Sequence, residues 1–316
     1  MSSCRSCKWT VLGFCAMARD MEQLVKFLIV HHVLLESWWC SKCGELCRRD
    51  LATFTFHCDR RHVICDARRR RRRWRCRFSR SMFTGTWFQR SNLSVSKVCQ
   101  MNCLWLNIRC PRQFFTLSEI GVSVNSVVRW SWFCREVCIF WLSRESEVLG
   151  GPGVVVEIDE AKLGMRKYYR DGWMDQHWFF VGFECGSKKC FLVSVLSRGP
   201  DVLLDVVKRW IQPGTTVVSD CWKAYDCLSS EGFVHESVTQ SKNFVDPSTR
   251  AHAQNTGRAW WEVQGGIPRF GRKEKHTVGY LAEFMFKRKY ADYRERVHAF
   301  FTAVGQLYSP APQQSG

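Results

Sequence analysis

Two short apolar runs, each leading into an aspartate, set the strongest limit on what this chain can fold into. The first is VVVEIDE, Val154–Glu160, and the second is TTVVSD, Thr215–Asp220. Runs of β-branched residues this short, bounded by turn residues, read as buried strands. The first run places Glu157, Asp159 and Glu160 within four positions. A buried strand gains no stability from three carboxylates, so they need another reason. Two readings of Asp159 and Asp220 stand side by side. They cap strand ends, or they form a carboxylate pair that holds divalent cations.

The flanking pattern sets these strands in a larger order. HWFFVGFEC and KKCFLVSVLS, starting at His177 and Lys188, read as two more strands joined at Gly186-Ser187, which makes a three-stranded meander with the first. DVLLDVVKRWI, Asp201–Ile211, repeats its apolar residues at helical spacing and is stopped by Pro213-Gly214. Further helix is expected around Arg258–Glu262 and over Tyr280–Leu307. Three strands, helix, strand and then helices fit a ribonuclease H-like α/β domain over residues 153–305. The first and fourth strands are neighbours in that fold, so Asp159 and Asp220 would meet at one point. Two Mg²⁺ or Mn²⁺ ions about 4 Å apart at such a pair activate a water or a 3′-hydroxyl for phosphoryl transfer.

Charge points to the partner. The chain of 316 residues carries a net +18. Residues 1–110 hold 21 Lys and Arg against 7 Asp and Glu, a net of +14, together with 12 of the 18 cysteines. A polyanion is implied, nucleic acid first and an anionic membrane surface second. Met1–Asp20 has no clean apolar core of a secretory signal, and Lys26, His31 and His32 interrupt the short run Leu24–Leu35. The expectation is an intracellular protein with reduced thiols, which makes Cys pairs metal ligands or core residues before disulfides.

Residues 1–35 form an N-terminal extension in which Cys4 and Cys7 make a CxxC with no second pair at convenient spacing; the apolar run after it reads as a packed helix. Residues 36–90 are rich in Cys and Arg. WWCSKCGELC supplies Cys40 and Cys43 on a tight turn at Gly44, a knuckle of the zinc-ribbon kind. Cys76 in RRWRCRFS is the natural third ligand. Ser79 stands where a fourth would be expected, and Cys47, Cys58, His62 and Cys65 are all candidates to replace it. Between these ligands lies a run of six arginines, Arg68, Arg69, Arg70, Arg71, Arg72 and Arg73, followed by Trp74. Such a run repels itself and stays solvated; it suits phosphate contacts or nuclear import.

Residues 91–145 read as helical. A short helix ends at Gly121, and Ser123 can cap a second whose apolar face includes Val127, Val128 and Phe133, with Asn125, Ser126 and Arg129 exposed. That is a helix-turn-helix-like layout, or an ordinary αα-hairpin. Trp141–Pro152, ending in LGGPG, reads as a linker.

The stretches EIDEAKLGMRKY (157–168), VVSDCWKAY (217–225), NFVDPSTRAHAQN (243–255) and YLAEFMFKRKY (280–290) resemble the Merlin-type DDE transposases, which share the insertion-sequence XO2-like transposase domain. The resemblance covers about residues 154–290, and FVDPSTRAHAQN is its most specific part. The N-terminal half is similar as well, in its CxxC knuckle, its WRC and its GVS…FCREVC. The resemblance implies a cut-and-paste DNA transposase working on double-stranded terminal repeats as a homo-oligomer in the nucleus, with Mg²⁺ or Mn²⁺ at Asp159 and Asp220 and Zn²⁺ at the knuckle. Lys162, Arg166 and Lys167, just after Asp159, are expected to contact backbone phosphates or to lie in a solvated loop.

The third acid departs from the family pattern. After AHxQN the family has an apolar residue, a glutamate and, three residues later, a tryptophan. Here Trp260 matches, but Gly257 stands in place of the glutamate. Glu262 is a candidate substitute. On a helix, five residues turn about 500°, which leaves Glu262 roughly 140° off the original face unless the register shifts. Glu160 is nearer but faces the other side of the strand from Asp159. The sequence therefore carries two expectations: a transposase impaired in catalysis, or a DNA-binding protein derived from one.

Overall fold

The computed structural model describes residues 4–65, 71–108, 113–145, 147–162, 178–187, 189–195, 197–219, 223–237 and 277–310. The chain divides into two compact units. One comprises residues 1–107, 116–123 and 292–316; the other comprises 108–115 and 124–291. These units do not follow the four sequence regions segment by segment, because the C-terminal helix belongs with the N-terminal unit.

In the first unit, α1 (Val11–Met17) begins where the Thr10 hydroxyl accepts the Gly13 N–H at 3.1 Å. Helix α2 (Met21–Val30) begins where Asp20 accepts the N–H groups of Glu22 and Gln23 at 3.0 and 3.1 Å. The apolar run starting at Leu24 is therefore the buried face of α2 and its exit, as its sequence suggests. Phe27 meets Phe301 of the Arg296–Leu307 helix edge-to-face at 5.3 Å, and Trp87 meets Phe300 of the same helix at 5.7 Å. Offset and edge-on aromatic packing of this kind dominates the core.

The Cys-rich region is a small β structure. Strands β1 (Arg48–Asp50) and β2 (Thr55–Cys58) pair antiparallel, a separate hairpin follows as β3 (Arg61–Cys65) and β4 (Arg71–Arg75), and β5 (Phe78–Ser81) returns to pair with β2. Helix α3 (Val95–Asn107) closes the unit, its Ser96 hydroxyl donating to the Ala18 carbonyl at 2.6 Å.

Helix α4 (Gln113–Ile120) ends at Gly121, whose φ of +64° turns the chain, and α5 (Val124–Arg144) begins three residues later. The helix, glycine turn and helix thus occupy the expected positions in the chain. Arg129 is exposed and Val127 is buried as expected, but Val128 is 39% exposed and does not belong to the apolar face. The linker expected at Trp141–Pro152 is also corrected. Helix α5 runs on to Arg144 with Trp141 and Leu142 buried, and Leu149–Gly150 forms the short strand β6. The glycines at 150, 151 and 153 serve a tight turn with positive φ, and a turn of this kind reads in sequence like a flexible joint.

The second unit is built on a five-stranded mixed sheet among the described residues. Strands β7 (Val155–Lys162), β8 (Trp178–Glu184) and β9 (Cys190–Val195) form the antiparallel meander, joined at Gly186 with φ +89°. Helix α6 (Pro200–Trp210) follows. It has proline in its first turn, Asp201 at its N-terminal end and Lys208 and Arg209 in its last turn, in the order the helix dipole favours. Strand β10 (Ile211–Gln212) pairs parallel with β6. Strand β11 (Thr216–Ser219) then lies parallel to β7, and β12 (Val234–Ser237) lies parallel to β11. The sheet order is β12-β11-β7-β8-β9.

Strand β12 has no counterpart in the sequence reading. It is a four-residue edge strand, VHES, mostly exposed, so it shows neither an apolar run nor a clean alternation. The core under the sheet joins Val156, Ile158, Phe180, Phe191, Leu203 and Val217. Helix α7 (Thr277–Lys289) completes the unit and packs on α5. The helix expected over Tyr280–Leu307 is thus two helices, broken near Asp292 and assigned to different units.

Candidate metal centres and nucleic-acid surface

Asp159 lies on β7, the central strand, flanked by a parallel and an antiparallel neighbour. It sits opposite Val181 of β8 and is half-buried. On the other side β7 runs in register with β11, with Val156 opposite Val217 and Glu157 opposite Val218. The neighbouring strand therefore advances toward Asp159 and is described to Ser219, the residue before Asp220. Asp220 itself lies outside the described residues, as do Gly257, Glu262, Arg166 and Lys167. Lys162 ends β7 opposite Trp178, three positions beyond Asp159, and so is part of the strand rather than of a loop.

Glu157 shares a strand face with Asp159, since residues two apart point the same way. Burial pushes its carboxyl up to about 8, and the Cys185 thiol faces it at 3.7 Å. At neutral pH Glu157 is thus mostly protonated and poorly suited to bind a cation. At the end of β11, the Ser219 hydroxyl meets His235 Nε2 of β12 at 2.9 Å.

The zinc-ribbon-like knuckle is more complete than its sequence suggests. Cys40, Cys43, Cys58 and Cys76 bring their sulfurs within 4.8 Å of one another. The Cys40 and Cys76 sulfurs are 3.5 Å apart, and so are those of Cys43 and Cys58. Tetrahedral zinc with bonds of about 2.3 Å to sulfur sets its ligands about 3.8 Å apart, so the four thiols suit that ion. The turn forms because Gly44 adopts φ +72° and its N–H bonds the Cys40 carbonyl at 2.8 Å. Burial opposes ionisation of Cys40, but the Lys42 N–H and the Cys76 thiol outweigh it and bring Cys40 down to about 7.

Of the four candidates for the last ligand, Cys58 fills the position. It ends β2, and the Cys76 N–H bonds the Arg60 carbonyl at 2.8 Å, which brings both cysteines to the root of the β3–β4 hairpin. Ser79 pairs with His57 within the sheet and is not needed by the cluster. A serine at 79 therefore does not break the four-thiol set. A second group was missed: Cys4, Cys7, His31 and His298 also converge within 4.8 Å. Cys4 and Cys7 were visible as a pair, but their partners lie 24 or more positions away, His31 just past the end of α2 and His298 on the Arg296–Leu307 helix.

The arginine run is corrected in form. Arg71–Arg73 are strand, not loop; Arg68, Arg69 and Arg70 lie outside the described residues. In the hairpin, Arg61 pairs with Arg75, Val63 with Arg73, and Cys65 with Arg71. Alternation puts Arg61, Arg71, Arg73 and Arg75 on one face, and all four are exposed. On the other face Trp74 stacks on His62 at 4.7 Å. The aromatic pair explains how a strand this rich in like charge holds its register.

One more arrangement escaped the sequence reading. The buried Arg135 of α5 donates from Nε to Glu283 Oε2 of α7 at 3.2 Å, and its guanidinium lies 4.0 Å over the Tyr280 ring. FCREVC and YLAEFMFKRKY are thus two halves of one buried contact.

Comparison with known proteins finds a similarity over the second part of the chain. Residues 148–289 match the family model described as the ISXO2-like transposase domain, which is less than half of the chain. A comparison with curated proteins finds no match. Among solved structures, the chain matches one from the CryoEM structure of simian T-cell lymphotropic virus intasome in complex with PP2A regulatory subunit B56 gamma, at 11% identity and a TM-score of 0.20. The match covers 55% of this chain and spans about 64% of the length of that one. Among the described residues no helix is long and apolar enough to cross a membrane.

Proposed function

We propose, from the match of residues 148–289 to the ISXO2-like transposase domain, that the chain is a DNA transposase by descent that keeps duplex DNA binding but is impaired in strand cleavage. The observation that carries the impairment is Gly257 at the position of the third acid, with the rest of the motif, Gln254, Asn255 and Trp260, in place.

The sheet order β12-β11-β7-β8-β9, in which β7, β8 and β9 run antiparallel and β11 and β12 lie parallel to β7, supports a ribonuclease H-like domain, with Asp159 on the central strand. In this reading Asp159 and Asp220 hold Mg²⁺ or Mn²⁺, and the bound ions would supply activation of a water or 3′-hydroxyl and stabilisation of the leaving oxygen. Two aspartates make a donor set one carboxylate short, and the position of Glu262 five residues past Gly257 does not restore it on a regular helix. Glu157, protonated by its burial, offers no replacement charge.

The DNA-binding part of the proposal rests on the N-terminal unit. A four-thiol cluster braces the root of a two-stranded ribbon with four exposed arginines on one face. The major groove of duplex DNA admits a ribbon of that width, and arginines on one face of it would neutralise phosphates along the groove walls. Arg129, exposed on α5 after the glycine turn, is a further contact in the helix-turn-helix reading. Lys162, Arg166 and Lys167 would bind backbone near the carboxylates. Assembly as a homo-oligomer on terminal repeats in a nucleus completes the reading.

A second reading, a non-catalytic DNA-binding protein, is favoured by Gly257 alone. Fluorescence anisotropy of labelled duplex against the full chain tests what the two share. Binding that weakens linearly in log–log against salt supports both; no binding at low salt ends both.

A further inference from the structure

Cys4, Cys7, His31 and His298 converge from three places: the N-terminal CxxC, the end of α2 and the first turns of the Arg296–Leu307 helix. The Cys7 sulfur lies 3.5 Å from His298 Nδ1 and 3.7 Å from His31 Nε2. Cys4 lies 3.7 Å from His298 Nδ1, and the two ring nitrogens are 3.1 Å apart. Tetrahedral zinc, bound about 2.3 Å from sulfur and about 2.0 Å from nitrogen, spaces its ligand atoms about 3.3–3.8 Å apart. The four atoms therefore already stand near the corners of a zinc tetrahedron.

The surroundings favour ligation over a chance meeting of side chains. His31 Nδ1 is 2.8 Å from the Phe27 carbonyl and donates its proton there, which leaves Nε2 with a free lone pair facing the cluster. The Trp9 indole N–H donates to the Cys7 sulfur at 3.3 Å and holds it in place. His298 is hydrogen-bonded to the backbone of Arg5, within the CxxC turn. Backbone bonds hold the same three segments: Cys4 N–H to the Val30 carbonyl at 3.1 Å and Trp9 N–H to the Arg294 carbonyl at 2.9 Å. Gly305 lies seven residues, about two turns, beyond His298 on the same helix face. A side chain there would run into the His31 carbonyl and come within 3.1 Å of the His32 backbone, so the glycine lets the last helix approach α2 closely enough for His298 to reach His31.

We propose that Cys4, Cys7, His31 and His298 form a second, structural zinc site that fastens the C-terminal helix to the N-terminal extension. Binding releases the two thiol protons, giving a neutral Cys₂His₂ centre with no open position. This role explains the CxxC that stood alone in the sequence. The site is independent of the four-thiol cluster and of the transposase reading.

The test is the zinc content of the full-length chain, purified from zinc-supplemented cells and measured by elemental analysis. Two zinc ions per chain are expected. His298→Ala and Cys58→Ser should each leave one, and the double variant none. One zinc per chain in the unaltered protein, lost in Cys58→Ser and kept in His298→Ala, overturns the proposal. His298→Cys guards against a folding failure of the alanine variant. It should keep two metals and, with cobalt in place of zinc, add thiolate charge-transfer absorption; an unchanged cobalt spectrum overturns the proposal. An insoluble His298→Ala leaves the stoichiometry of the unaltered chain to decide: two supports the site and one ends it.

Discussion

Arg135 and Glu283, 148 residues apart, form an ion pair in which each side chain is less than a tenth exposed. Lys287 adds a second cation at 2.8 Å from Glu283, and Tyr280 covers the guanidinium. Two stretches that the sequence set in different regions thus meet between α5 and α7. Breaking a buried pair leaves the surviving charge uncompensated, which costs about 3–5 kcal/mol. Glu283→Ala should lose that much in denaturant unfolding, and the joint change Arg135→Met with Glu283→Leu should recover most of it. A loss under about 1 kcal/mol in the single variant would show that the pair is not buried in solution.

The four-thiol cluster makes its own prediction. Cys58→Ser should lose the zinc of this site, whereas Ser79→Ala and Cys47→Ser should keep it. Cys47 lies beside the cluster, but its sulfur is not one of the four that converge within 4.8 Å of one another. Elemental analysis of the three variants checks this, and loss of zinc in the Cys47 variant would redraw the ligand set.

The arginine face should act through charge number rather than base identity. Replacing Arg61, Arg71 and Arg73 together by glutamine should lower the slope of log affinity against log salt by roughly 3, about 0.9 per phosphate contact. The drop should be the same on unrelated duplexes. A slope that does not change would move the DNA contact elsewhere.

Gly305→Ala should cost roughly 1–3 kcal/mol, because the methyl group meets backbone atoms of His31 and His32 that have no side-chain freedom to yield. Thermal unfolding measures it. A neutral result would mean that the last helix stands off from α2.

The elements carried by a strong local pattern were legible in the sequence. The meander at 155–195, the helix after Pro200 and the glycine turn at 121 stand where apolar period and turn residues place them. The neighbouring of β7 and β11 followed from strand order. What escaped was non-local or weakly patterned. His298 joins Cys4 across 294 positions, which no spacing rule spans. Cys58 was one of four open candidates because hairpin length, not motif, decides which thiol reaches Cys43. Strand β12 is polar and short. The Arg71–Arg75 strand was hidden by charge, since only the His62–Trp74 stack reveals why arginines there pair as a ribbon.

The most direct test of the central claim is nicking of supercoiled plasmid by the purified chain in Mg²⁺ or Mn²⁺. The unaltered chain should bind the plasmid without nicking it, Gly257→Glu should nick, and adding Asp159→Asn to Gly257→Glu should abolish the nicking. Nicking by the unaltered chain that Gly257→Glu does not increase, or that survives Asp159→Asn, would contradict the account.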